Sequence, residues 1–158
     1  MPIALCGFND GPGISGREML SLNGPTLIVR IGFDPGYDYL NPNVLPAIPG
    51  ADHHALVDTG AGGCCIDSAV ALALNLPIID QAVCSGISGP RIVNMHMAQI
   101  YVPTLQFTFV GAFAGVDLIA GGQPHAVLIG RDFLRHFKMR YHGDNGTVEI
   151  EGPIALAP

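Results

Sequence analysis

A mainly β fold with two short helices is what this 158-residue sequence predicts, on three observations. The chain carries 21 glycines and 13 prolines, too many for a helical bundle but suited to frequent turns between short strands. Apolar residues make up 49% and charged residues 13%, which excludes a disordered chain and points to a well-filled core. Where apolar residues are periodic, the period is mostly two. The length corresponds to one domain, able to bury roughly 70% of its unfolded surface without staples.

The elements follow in order. Residues 1–24 are Gly-rich with few periodic apolar positions, so a loosely packed N-terminal arm is expected, with the domain proper over 25–158. Pro25 to Phe33 reads as a strand rich in β-branched residues. A long loop follows from Asp34 to Asp52, with Pro35, Pro42, Pro46 and Pro49; such length implies function or mobility. His54 to Asp58 is a short buried strand ending in an acid. Asp67 and Ser68 cap a helix from Ala69 to Leu74, closed by Asn75 and Pro77. Residues 82–102 form a hairpin around Cys84-Ser85-Gly86-Ile87-Ser88-Gly89-Pro90. Leu105, Phe107 and Phe109 alternate with polar or smaller residues as in a half-buried strand. His125 to Ile129 is an apolar strand ended by Gly130, and Asp132 to Phe137 continue as a helix with Phe133, Leu134 and Phe137 on one face. Lys138–His142 and Thr147–Glu151 flank Gly143-Asp144-Asn145-Gly146, a strong hairpin turn.

Charge and targeting narrow the function classes. The net charge is −6, with only seven Lys and Arg, which argues against nucleic-acid or anionic-membrane binding. So little charge on so apolar a chain predicts that a partner subunit covers part of the surface. The N-terminus lacks the basic flank of a signal peptide. Residues 98–116 are interrupted by Pro103, Gln106 and Thr108 and read as strands, not a membrane span. Cys6, Cys64, Cys65 and Cys84 are therefore expected as reduced thiols in a cytoplasm.

The most informative residues are Leu56-Val57-Asp58-Thr59-Gly60-Ala61. An acid at the end of a buried strand, on a tight Gly turn, is expensive without a purpose. Far downstream stands Val127-Leu128-Ile129-Gly130-Arg131-Asp132-Phe133-Leu134, an apolar strand, a glycine and a helix. Together the two segments resemble the retropepsin-like, or retroviral-type, aspartic proteases. The resemblance covers roughly residues 25–151 and is nearer in layout to cellular and bacterial single-lobe members. It implies a closed acid-protease barrel with one lobe per chain. Peptide hydrolysis without a metal needs a base to activate water and an acid to protonate the leaving nitrogen. Two carboxyls sharing one proton supply both, and aspartic proteases are the standard illustration. With one Asp-Thr-Gly per chain, the resemblance implies a homodimer in which two Asp58 side chains meet on a two-fold axis.

Roles implied by the resemblance go residue by residue. Asp58 is the acid/base, Thr59 bonds across the dimer beneath the dyad, and Gly60 lets backbone approach the substrate. Ala61 and Gly62 line the cleft. Gly86, Ile87 and Gly89 form the tip of a flap that closes over an extended peptide. Leu128, Ile129 and Gly130 pack under Asp58. Arg131 supports the site, but the acid that pairs with it in many viral members is replaced by Gly62, so Asp132 or an acid of the other subunit is its expected partner. No cofactor and no metal are implied.

Other motifs carry less. Gly11-Pro12-Gly13-Ile14-Ser15-Gly16 matches a dinucleotide-binding pattern but follows no strand and opens no convincing helix. Cys64 and Cys65 near His53 and His54 fit no metal spacing and read as buried apolar cysteines. His96 and His125 read as packing or surface residues. The rival to an endopeptidase is a catalytically silent, dimeric peptide- or partner-binding scaffold; a narrow processing enzyme is a third reading.

Overall fold

The computed structural model describes residues 1–41 and 43–154. Pro42 of the long loop and residues 155–158 of the expected domain lie outside the described residues. Strands hold 43% of residues and helices 14%, so sheet topology decides the architecture. The strands are β1 (Ile3–Leu5), β2 (Thr26–Gly32), β3 (His53–Val57), β4 (Cys65–Asp67), β5 (Ile78–Gly86), β6 (Gly89–Val102), β7 (Phe107–Val116), β8 (Val127–Ile129), β9 (Lys138–His142) and β10 (Thr147–Glu151). The helices are α1 (Gly16–Asn23), α2 (Ser68–Ala73) and α3 (Arg131–Leu134). A 3-10 turn, Pro103–Leu105, joins β6 to β7.

Seven strands pair in the order β2-β3-β8-β4-β7-β6-β5. A further pairing of β2 with β6 closes six of them into a partial ring and leaves β5 outside, as the free arm of a hairpin. The period-two pattern explains which faces meet inside. Leu27, Val29 and Ile31 of β2 are buried, and Ile28 between them is exposed. They pack with Ala55, Val57, Ile66, Ile100, Phe113, Val127 and Ile129 in one core. Beside the ring, β1, β10 and β9 form a three-stranded antiparallel sheet. Phe133 links the two sheets through an aromatic cluster, stacked on Phe137 at 4.8 Å and edge-on to Phe107 at 5.7 Å. No helix among the described residues is long and apolar enough to cross a membrane.

Three expectations are corrected. Residues 1–24 are not a loose arm. β1 pairs with β10, Ile3 opposite Glu151 and Leu5 opposite Glu149, and Ala4, Cys6 and Leu20 are buried. Among the described residues there are three helices and not two. α1 opens on a capping box: Glu18 N–H donates to Ser15 Oγ at 3.2 Å and Ser15 N–H donates to Glu18 Oε2 at 2.9 Å. Gly11–Gly16 thus does lead into a helix, but β1 and β2 lie in different sheets, so the unit is not the parallel βαβ of dinucleotide sites. Finally, the last helix is shorter than expected and begins at Arg131.

The long loop is tied at its neck. Asp34 accepts from Gly36 N–H and Ala47 N–H, both at 2.9 Å. The buried Gln99 side chain holds the Asp34 backbone through Oε1 at 2.6 Å and Nε2 at 3.1 Å. Asp67 closes the other end of the ring: its buried carboxylate caps α2 at Val70 N–H and also accepts from Leu118 and Ile119 N–H at 3.0 Å each.

Candidate active site

β3 and β8 run parallel, with Leu56 opposite Leu128 and Val57 opposite Ile129. The ladder continues one residue further, where Asp58 N–H donates to Ile129 O at 2.9 Å. There the apolar run ends and the chain turns, with Ala61 N–H donating to Asp58 O at 3.2 Å. The Asp58 carboxyl is half-buried at the mouth of this turn and accepts from Gly60 N–H through Oδ1 at 2.8 Å. Thr59, Gly60 and Gly62 are exposed, and Ala61 is half-buried.

The turn after β8 grips the Asp58 turn from behind. Arg131 N–H donates to Ala61 O at 3.0 Å and Asp132 N–H to Gly62 O at 3.1 Å. The crossing is tight at Gly130, where a Cβ would lie 2.5 Å from Gly63 O, so only glycine fits without a shift. Arg131 does not pair with Asp132. Its guanidinium donates to Thr59 O at 2.8 Å, inside its own chain. Asp132 instead accepts from the Cys64 thiol at 3.0 Å and from Cys64 N–H at 3.2 Å. The same sulfur accepts from Gly130 N–H at 3.3 Å. Cys64 is therefore a knot between the two turns, a role its apolar neighbours in the sequence gave no sign of. Burial, and then the Asp132 carboxylate bonded to it, pushes the Cys64 thiol up, so it stays protonated.

The β5–β6 hairpin has Gly86 opposite Gly89 and Ile87 fully exposed at its tip. Gly89 has φ +89°, a left-handed conformation that makes glycine the natural residue at the tip. Ala82 and Cys84 are half-buried and Val83 between them is exposed, so one face of the arm looks inward. Cys65, on β4, is pushed up to about 11 by burial, then by Cys84 and Asp58, whose charges act on the same space. The residues expected from sequence thus divide. Asp58, Thr59, Gly60, Ala61 and Gly62 are brought against Leu128, Ile129, Gly130 and Arg131. Gly86, Ile87 and Gly89 make no hydrogen bond to the Asp58 turn among the described residues. Among those residues, no three His, Cys, Asp or Glu side chains converge as a metal cage.

No protein-family model matches this chain, and no curated protein sequence does. The site is therefore defined by its own geometry: a half-buried carboxyl on a Gly turn, backed by a second Gly turn.

Proposed function

We propose that the chain is a retropepsin-like aspartic endopeptidase, one lobe per chain, active as a homodimer. The observation that carries this reading is the Asp58 carboxyl, held half-exposed with one backbone donor at the crossing of two Gly turns. A carboxyl so placed is fixed in direction yet keeps acceptor capacity free for water. In the proposed dimer two Asp58 carboxyls share one proton. One takes a proton from the attacking water, and the other protonates the departing nitrogen. An extended peptide or protein lies between the floor and the β5–β6 arm, bound through its backbone. No cofactor enters the reading, and the four free thiols suit a reducing compartment such as the cytoplasm.

The test is Asp58→Asn on a peptide library at mildly acidic pH. Cleavage by the natural chain, sensitive to pepstatin-type inhibitors and lost in the variant, is expected. Cleavage that survives the substitution removes the peptidase reading. Absence of both cleavage and inhibitor binding in the natural chain favours the non-catalytic scaffold.

A further inference from the structure

On the outer face of β2, beneath α1, lies an open groove of about 360 Å³ separate from the Asp58 turn. Its apolar lining includes Phe8, Met19 and Ile28, and Thr26, Asn23 and His125 supply polar groups. His125 is 3% exposed, although burying an imidazole costs free energy unless it is satisfied. Its two nitrogens are both engaged. Nδ1 lies 3.0 Å from Gln123 Oε1, and Nε2 lies 2.8 Å from Thr26 Oγ1.

The amide oxygen of Gln123 can only accept, so the proton of a neutral His125 sits on Nδ1. That leaves a lone pair on Nε2, 2.8 Å from the Thr26 hydroxyl, which also donates to Gly24 O at 3.2 Å and has the shorter path to the imidazole. Burial, and then nearby His54, lowers the proton affinity of His125 and keeps it neutral. Hydroxyl, base and orienting acceptor thus stand in series, the arrangement that activates an alcohol for attack on a carbonyl.

We propose that Thr26 and His125, with Gln123 as positioning residue, form a second nucleophilic site that takes acyl groups from esters with short apolar acyl chains. Thr26 Oγ forms a bond to the acyl carbon while its proton passes to His125 Nε2. The bond to the leaving oxygen breaks, and His125 returns the proton to it. Water then releases the acid by the same route in reverse. The Asn23 amide lines the same groove. Its Nδ2 donates to Met19 O at 3.1 Å and lies 3.9 Å from the Met19 sulfur, and since an amide nitrogen carries two N–H groups it has a second donor for charge on the acyl oxygen. This site is independent of the peptidase reading, since no residue of it belongs to the Asp58 turn.

The experiment treats the full chain with p-nitrophenyl butyrate and maps butyryl adducts by peptide mass spectrometry. A butyryl group on Thr26 is expected, retained in Asp58→Asn and absent in Thr26→Val, with p-nitrophenol release reduced about a hundredfold in the latter. Gln123→Leu should slow acylation similarly, whereas Gln123→Glu, which keeps an acceptor for Nδ1–H, should restore it. An unmodified Thr26 in the natural chain, adducts confined to lysines or the N-terminus, or equal rates in the two Gln123 variants overturns the proposal. The mapping on the natural chain stands even if a variant fails to fold.

Discussion

Two aspartates nine positions apart, Asp58 and Asp67, do opposite things with the same functional group. Asp67 is buried and saturated, with three backbone N–H groups on its two oxygens, and it holds α2 and the Asp117–Ile119 turn to the end of β4. Asp58 is half-buried and takes one N–H in a turn whose other residues are mostly exposed. A carboxylate with its acceptor sites filled is architecture. One held in direction with acceptor capacity to spare is available for chemistry.

The largest effect on stability should come from the saturated acid. Asp67→Ala orphans three backbone donors and removes a helix cap, and the expected loss is about 3 kcal/mol. For a chain of this size that lowers Tm by roughly 6–12 °C, measurable by calorimetry. A change near zero would erase the contrast between the two acids.

Acidification sharpens it next. His53, His125 and His136 all have proton affinities lowered in the folded chain, in each case chiefly by burial. Their folded pKa values lie below the ordinary 6.5, so the unfolded chain binds more protons. Stability is then full above that value and is lost as pH falls below it. Thermal melts across this range should show Tm dropping toward acid pH, and His136→Gln should flatten the slope. The mildly acidic pH at which the proposed cleavage would be assayed therefore works against the stability of the domain.

The smallest effect is expected at Gly62. A Cβ there would lie 3.6 Å from Arg131 Nη2 in ordinary contact, so Gly62→Asp fits and sets a carboxylate beside the guanidinium. The pair would be exposed, and its gain should stay below about 1 kcal/mol and vanish in high salt. Denaturant titration at two ionic strengths checks this.

Much of the fold was legible in local pattern. Lys138–His142 and Thr147–Glu151 are strands as the Asp-Asn-Gly turn between them implied, and Asp67 caps its helix. β1 was not legible, because three residues carry no period and their partner, β10, lies at the other end of the chain. α1 did leave a signal in Ser15-Gly16-Arg17-Glu18, a capping box outweighed by the glycines around it. At the site, the Asp58 turn and its Gly130 support could be read from residue types. The partner of Arg131 could not, because it is the Thr59 backbone carbonyl, and every residue has one. The Cys64–Asp132 knot was hidden for a related reason: a thiol among apolar neighbours reads as packing until its bonds are seen.

The central claim is that two copies of Asp58 make one reaction centre, and mixing subunits tests it most directly. A fixed amount of natural chain is allowed to exchange with increasing Asp58→Asn chain, and peptide cleavage is followed. Mixed dimers would hold one carboxyl instead of two, so cleavage per natural chain should fall steadily toward zero as the variant comes into excess. Cleavage that stays constant at every ratio, with exchange verified by tagged chains, would show that each Asp58 works alone and would contradict the account.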